Sequence, residues 1–367
     1  MLNQREMPED GSRRGKVESS ILEILEALDG GETYQSDLVR QSGFSKSRVS
    51  EVLSSLEKRG LVSRSSLGKN FRIMPISTLR KRNVSEIGKQ GAKKNSDKIL
   101  SLGIIRASEY PFVLPFEKML REKLGITLRF VFYDNGLDLS RDLSQLQLDL
   151  GIAPVLTHFV FFSVGSPIKM IAPAGSGGAS ILVNKSRRNS KNFDVATTKL
   201  STMELMLRSS MKDGDLPRSS KVSYYQSPKR MTNALLSGEV DAACIWEPYS
   251  TMLLKKQGFK KLVHYEDSNE GNLCCALAAG NHIESHTLYR IVKTFNDSLE
   301  VYRKDPERYV PPYSTLLRFD EKLMRIASKE YVYPSELEHR KLAKQFERSG
   351  ITIPFPGSVK DAVLSAS

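Results

Sequence analysis

Apolar residues recur near the start of the chain in two helical registers. Val17, Ile21, Ile24, Leu25 and Leu28 follow the i, i+4, i+7, i+8, i+11 spacing of one amphipathic face, and Val49, Val52, Leu53 and Leu56 repeat it in a second segment. Leu38 and Val39 mark a short helix between them. Gly43 suits a turn that needs a positive φ, Ser45 stands where an N-cap hydroxyl accepts from a backbone N–H, and Gly60 ends the helix. Leu61 to Arg64 and Phe71 to Ile73 then read as two short strands around the polar tip Ser65-Ser66-Leu67-Gly68-Lys69-Asn70. The pattern predicts three helices and a hairpin over residues 17–74.

From Lys98 onward the period changes. The runs ILSLGIIRA (99–107), ITLRFVFY (126–133) and LDLGIAP (148–154) alternate with helical patterns such as PFEKMLREKLG (115–125), which is the order of an α/β sheet. Short apolar runs bounded by Gly or Pro suit strands buried on both faces, and the loops at their carboxyl ends form the crevice where such sheets bind ligands.

Charge is unevenly distributed. Residues 40–98 carry 15 Lys and Arg against 4 acids, a net of +11 within a total of +13. Arg80-Lys81-Arg82, Lys89, Lys93 and Lys94 extend the stripe, which is the electrostatic footprint of phosphate binding; a solvated charge run is the plain alternative. Residues 77–97 are polar and basic and read as a linker, and residues 1–15 as a tail. The opening MLNQREMPEDGSRRGK has no apolar h-region, and no run approaches the roughly 18 apolar residues of a membrane span, so a cytoplasmic protein without membrane contact is expected. Cys244, Cys274 and Cys275 form no disulfide or zinc framework; Cys274 and Cys275 suit a buried strand, with a redox pair as the sharper alternative. The five histidines make no HExxH spacing, and there is no GxSxG or P-loop, so no catalytic residue, metal or cofactor is expected.

Two resemblances follow from these blocks. SKSRVSEVLSSLEKRGLV (45–62), within SGFSKSRVSEVLSSLEKRGLVSR (42–64), resembles the MarR-like winged helix-turn-helix family. It implies a DNA-reading helix presenting Ser45, Lys46, Ser47, Arg48, Ser50 and Ser54, with Lys69 and Asn70 on the wing. A three-helix unit used only for protein contacts is the bland reading of the same residues. LDLGIAP, KMIAPAGSGGASILVNK (169–185), FDVATTKLSTMELML (193–207), ALLSGEVDAACIWEPY (234–249) and FKKLVHY (259–265) resemble, in that order, the type II periplasmic-binding-protein fold. The likeness is to its binders of sulfonates, taurine, nitrate and thiamine-pyrimidine precursors, over about Lys98 to Val363. The fold class expected is thus an α+β winged helix (16–76) followed by a two-lobed α/β domain (98–367), with lobe I at about 98–179 and 274–367 and lobe II at about 180–273. SILV (180–183) and LCCALAA (273–279) are the crossing segments that the resemblance implies.

Loop positions give the candidate ligand contacts. Ser108, Glu109 and Tyr110 follow the first strand, and Ser176, Gly177 and Gly178 offer a concavity of backbone N–H groups. Ser201 and Thr202 open a helix, and Trp246 and Glu247 follow the buried run AACI. Trp246 reads equally as a lobe-packing residue and Glu247 as a helix-start residue. After LGIAP the chain continues VLTHFVF, where relatives often place a small hydroxyl, and Pro154 removes a donor there.

Together these readings predict a ligand-responsive transcription regulator. A homodimer would bind double-stranded DNA on an inverted repeat and sense a small-molecule effector, a small anion or a heteroaromatic precursor. Two alternatives belong to other classes: an enzyme of the thiamine-pyrimidine-synthase-like branch of the fold, whose cysteine-rich loop is not visible here, and a solute-binding component of a transporter.

Overall fold

A computed structural model describes residues 10–27, 33–58, 62–67, 70–75, 98–185, 193–264, 273–351 and 358–364. The chain divides into two compact units, Met1–Lys94 and Asn95–Ser367. Strands are numbered in chain order below, and helices are named by their residues.

In the first unit, helices Asp10–Ala27, Gln35–Ser42 and Lys46–Lys58 accompany strands β1 (Thr33–Tyr34), β2 (Val62–Leu67) and β3 (Asn70–Pro75). The predicted apolar faces meet in one core: Val17, Ile21 and Leu25 pack with Leu38, with Val49, Val52, Leu53 and Leu56, and with Val62 and Ile73. Gly43 takes φ 71° and caps the second helix by donating to Val39 O, and Ser45 Oγ accepts from Arg48 N at 3.4 Å to start the third. Three details differ from the expectation. The first helix begins at Asp10, inside the stretch read as tail. The hairpin strands extend to Leu67 and from Asn70, which pair directly, so Ser65 and Ser66 belong to strand and not to tip. Strand β1 pairs antiparallel with β3 through Thr33↔Ile73 and Tyr34↔Arg72, giving the sheet order β1-β3-β2. Two residues are too short a run to show a period. Leu28 and the linker 77–97 lie outside the described residues.

The second unit holds two sheets. The first has the order β14-β7-β13-β6-β4-β5, built from β4 (Lys98–Ile105), β5 (Ile126–Tyr133), β6 (Leu150–Pro154), β7 (Ile168–Gly177), β13 (Cys275–Gly280) and β14 (Tyr331–Val332). The second has the order β10-β9-β11-β8-β12, from β8 (Ala179–Asn184), β9 (Asp194–Thr197), β10 (Lys221–Tyr224), β11 (Ala242–Trp246) and β12 (Phe259–His264). In each sheet the strand that enters from the other lobe runs antiparallel: β13 against β6 and β7, and β8 against β11 and β12. Strands β6, β11 and β13 are buried along their whole length, as runs without alternation require.

These sheets are the two expected lobes, with sharper boundaries. The first crossing is the step from Gly177 at the end of β7 to Ala179 at the start of β8, so SILV lies wholly within lobe II. Cys275 begins the return strand in lobe I. The segment near Phe319–Tyr331, expected in lobe I, also touches lobe II: Phe319 packs edge-on against Tyr249 with ring centroids 5.6 Å apart, and Lys261 pairs with Glu330 at 3.1 Å.

Gly178 has φ +66°, and a Cβ there would collide with the Tyr331 ring. Gly214, with φ +93°, has nothing within 4 Å of a built Cβ. Gly214→Ala therefore suffers backbone strain alone, about 1 kcal/mol, whereas Gly178→Ala adds overpacking to reach about 3 kcal/mol. Urea unfolding of the two variants measures the difference, and equal losses would contradict the packing of Tyr331 on the crossing.

Candidate functional site

A cavity of ≈ 30 Å³ lies between the lobes. Its wall collects the carboxyl ends of five parallel strands: Ile105, Ala107, Glu109 and Tyr110 after β4, Asn135 and Gly136 after β5, Pro154 at the end of β6, Thr198, Ser201 and Met203 after β9, and Trp246 at the end of β11. Gly177, Cys274 and Cys275 from the crossings and Tyr331 from the C-terminal segment close it. This is the position that open parallel sheets reserve for ligands.

Local sequence explains the placement. Asn135 caps helix Gly136–Ser144 by accepting from Asp138 N at 2.8 Å, and its amide donates across the cleft to Gln226 O at 2.9 Å. Gly136 is small because a Cβ there would come within 2.6 Å of Pro154 Cδ. Thr157 Oγ1 of lobe I donates to Leu200 O at 2.5 Å, and Leu200 holds φ 54°, the left-handed conformation that non-glycine residues rarely adopt. Thr202 Oγ1 of lobe II donates to Cys274 O at 2.9 Å, and Trp246 Nε1 to Arg106 O at 3.2 Å.

Of the ten predicted ligand contacts, Glu109, Tyr110, Gly177, Ser201 and Trp246 line this cavity. Ser201 is already engaged as a helix cap, accepting from Glu204 N and donating to Thr198 O. Ser108 lies beside the wall, its N–H bonded to Glu247 O. Gly178 accepts from Glu247 N, so it serves the crossing. Glu247 precedes helix Tyr249–Leu254, where its Oε2 accepts from Thr251 N at 3.0 Å, the helix-start reading; its Oε1 has no hydrogen-bond partner among the described residues, and it does not line this cavity. Ser176 faces a second cavity of ≈ 190 Å³ with Glu336, Glu338 and Gln345. Sequence reasoning missed Asn135, Thr198, Met203 and Tyr331. The first three follow strand ends and so carried a usable signal; Tyr331 carried none.

The chemistry of the wall centres on Glu109. Its Oε2 accepts from Cys275 Sγ at 3.5 Å, and Oε1 has no hydrogen-bond partner among the described residues. Tyr110 donates to Cys275 Sγ at 3.2 Å, and the two thiol sulfurs are 3.3 Å apart. Burial raises the Glu109 carboxyl to about 8, outweighing the smaller lowering by Tyr110 and Cys275. One carboxylate oxygen and the sulfurs of Cys274 and Cys275 lie within 4.8 Å of one another, the one group of side chains here with metal-ligand chemistry among the described residues. Beneath the wall, His158 Nδ1 pairs with Ser140 Oγ at 3.1 Å, and burial lowers its pKa to about 4.

In the first unit, Lys46 and Ser47 are exposed on helix Lys46–Lys58, and Arg48 lies 3.6 Å from Glu51. The Ser54 hydroxyl donates to Ser50 O at 2.8 Å. Lys69 lies outside the described residues, and Asn70 opens β3.

The chain belongs to the NMT1-like family, which matches residues 93–294. Residues 16–74 match a domain of unknown function, DUF7343. No curated protein matches the chain. A solved structure similar to it is the ligand-binding component of an ABC-type import system from Staphylococcus aureus with zinc bound: 16% identity, TM-score 0.62, covering 73% of this chain and 100% of that one. The periplasmic aliphatic sulphonate-binding protein of Escherichia coli gives 15%, 0.59, 74% and 93%. The alkanesulfonate-binding protein of Xanthomonas axonopodis pv. citri bound to MOPS gives 18%, 0.59, 74% and 99%. At these identities the likeness shows the two-lobed fold.

These findings correct the functional expectation. The similar structures are binding components, and the family match covers residues 93–294 of the two-lobed unit, which fits the solute-binding alternative better than the transcription regulator. The DNA partner and the homodimer find no support in them.

The buried acid predicts a pH signature. The folded chain keeps Glu109 protonated up to about 8 and the unfolded chain loses that proton near 4.5, so its contribution is complete below about 4.5 and lost as pH rises through 8. Glu109→Gln removes that loss, and its melting temperature relative to the unaltered chain therefore climbs between pH 5 and pH 8 (about the window of the shift). A pH-independent difference in calorimetry would contradict the burial of this carboxyl.

Proposed function

We propose that the two-lobed unit is a solute-binding protein unit that closes on a small molecule between its lobes, binding it without turnover. The carrying observation is the convergence of strand ends from both lobes on one cavity, with Thr157, Asn135 and Trp246 hydrogen-bonded across the cleft. At ≈ 30 Å³ the cavity has room for about two waters. A solute of more than a few atoms therefore enters by separation of the lobes about the two crossings, the hinge motion of such folds. The binding-component relatives add support at the level of fold. Three cysteines held as thiols support a reducing compartment, the cytoplasm. The order of helices and the three-stranded sheet support reading residues 10–75 as a winged helix.

A thermal-shift screen of the full chain against small metabolites tests the reading. A solute at a hundred times its Kd adds about 2.7 kcal/mol of stability and should alter the radius of gyration in solution scattering as the lobe equilibrium moves. A stabilising compound that leaves the scattering unchanged and competes with no cleft ligand would sink it.

A further inference from the structure

The ionisable groups on the cavity wall are one-sided. Glu109 is the one acidic side chain there, and no lysine, arginine or histidine lines the cavity among the described residues. Two cations on residues adjacent in sequence or pairing to the wall are engaged elsewhere: Arg106 lies over the Phe132 ring at 5.4 Å and 3.5 Å from Asp134, and Lys261 pairs with Glu330. Glu109 is 3 % exposed, and its Oε1 has no hydrogen-bond partner among the described residues, a state that buried polar atoms seldom keep. Oε1 lies close against Gly175, where a Cβ would collide with it. Tyr110, Trp246 and Tyr331 line the same cavity, and aromatic rings favour a cation over their faces.

We infer that the solute is a small organic cation bearing N–H donors, an ammonium, an amidinium or a protonated heteroaromatic nitrogen, with its N–H on Glu109 Oε1 and its body against the aromatic wall. The inference rests on the solute-binding reading above and narrows it. A sulfonate fits the wall poorly, since no cation offsets its charge once water is excluded.

Proton balance gives the two ligand classes opposite signatures. The groups that face Glu109 are the hydroxyls of Tyr110, Tyr313, Tyr331 and Tyr333 and the thiols of Cys274 and Cys275, and burial raises the four hydroxyls and the Cys275 thiol well above their ordinary values. Burial raises the carboxyl to about 8, and no positive group among the described residues offsets it, so the free carboxyl keeps its proton at neutral pH. Binding a permanent cation releases that proton to solvent as the carboxylate forms. Cation affinity therefore rises about tenfold per pH unit below 8 and levels off above it. An anion would use the carboxyl as a donor, and its affinity would fall as the proton leaves.

Isothermal titration calorimetry on the full chain, with Trp246 fluorescence as the site reporter, tests this with three probes of like shape: acetamidine, acetamide and methanesulfonate. Acetamidine should bind at least about tenfold more tightly than either of the others, and its affinity should rise between pH 6 and pH 8 with release of about one proton. Glu109→Gln should lower acetamidine affinity about tenfold and abolish the pH slope. The slope of the unaltered chain is an independent readout, so the test survives a variant that folds badly. Acetamide or methanesulfonate binding as tightly as acetamidine, with a Trp246 response, overturns the cation assignment and leaves solute binding standing. A flat pH profile for acetamidine overturns it also. Silence from all three probes overturns the assignment, and the solute-binding reading falls with it only if the wider thermal-shift screen is silent too.

Discussion

The second unit depends on how its chain passes between two sheets. At the first passage Gly177 and Gly178 take φ values of 86° and 66°, which side-chain-bearing residues rarely reach. Glu247 N donates to Gly178 O at 2.8 Å, and Tyr331 covers the glycine while its hydroxyl donates to Glu247 O at 3.3 Å. At the second passage the carbonyl of Cys274 accepts from Val155 N of lobe I and from Thr202 Oγ1 of lobe II. One peptide group thus ties a helix of each lobe to the same point. The cavity lies beside these ties, so whatever fills it bears on the geometry of both passages.

Much of this was legible from period and punctuation. LGIAP and AACIW lack alternation because both faces of their strands are buried, and that same burial puts Pro154 and Trp246 at strand ends. SILV was read as the first crossing, whereas the chain passes between the sheets just before it, at the glycine pair that was read as a ligand concavity. Chemistry at the site was harder to see. Ser176, Ser201 and Glu247 looked like ligand contacts because each stands at a strand end or helix start, yet Ser201 caps its own helix and Glu247 Oε2 accepts at the start of the next one. Residue type and position alone cannot separate a capping hydroxyl from a binding one, because both need the same local backbone. Tyr331 reaches the wall by pairing β14 with β7 at Gly177, a long-range contact with no local trace.

The first unit shows the converse. Its core was read residue by residue from helical spacing, and the buried set follows that reading. The function inferred from its basic face did not survive comparison with the solute-binding proteins that share the larger unit. Charge and helix order describe a surface and a fold, and function has to be argued from a site. In this chain the site with converging, partly unsatisfied polar groups is the interlobe wall around Glu109.

Trp246 is the only tryptophan of the chain and stands on that wall. Substituting it with 5-fluorotryptophan gives a single fluorine resonance that reports on the cleft alone. A bound solute should move that resonance as the lobes close on it, in proportion to the stabilisation it confers. A solute that stabilises the folded chain while the resonance stays unmoved would place binding elsewhere and contradict the account.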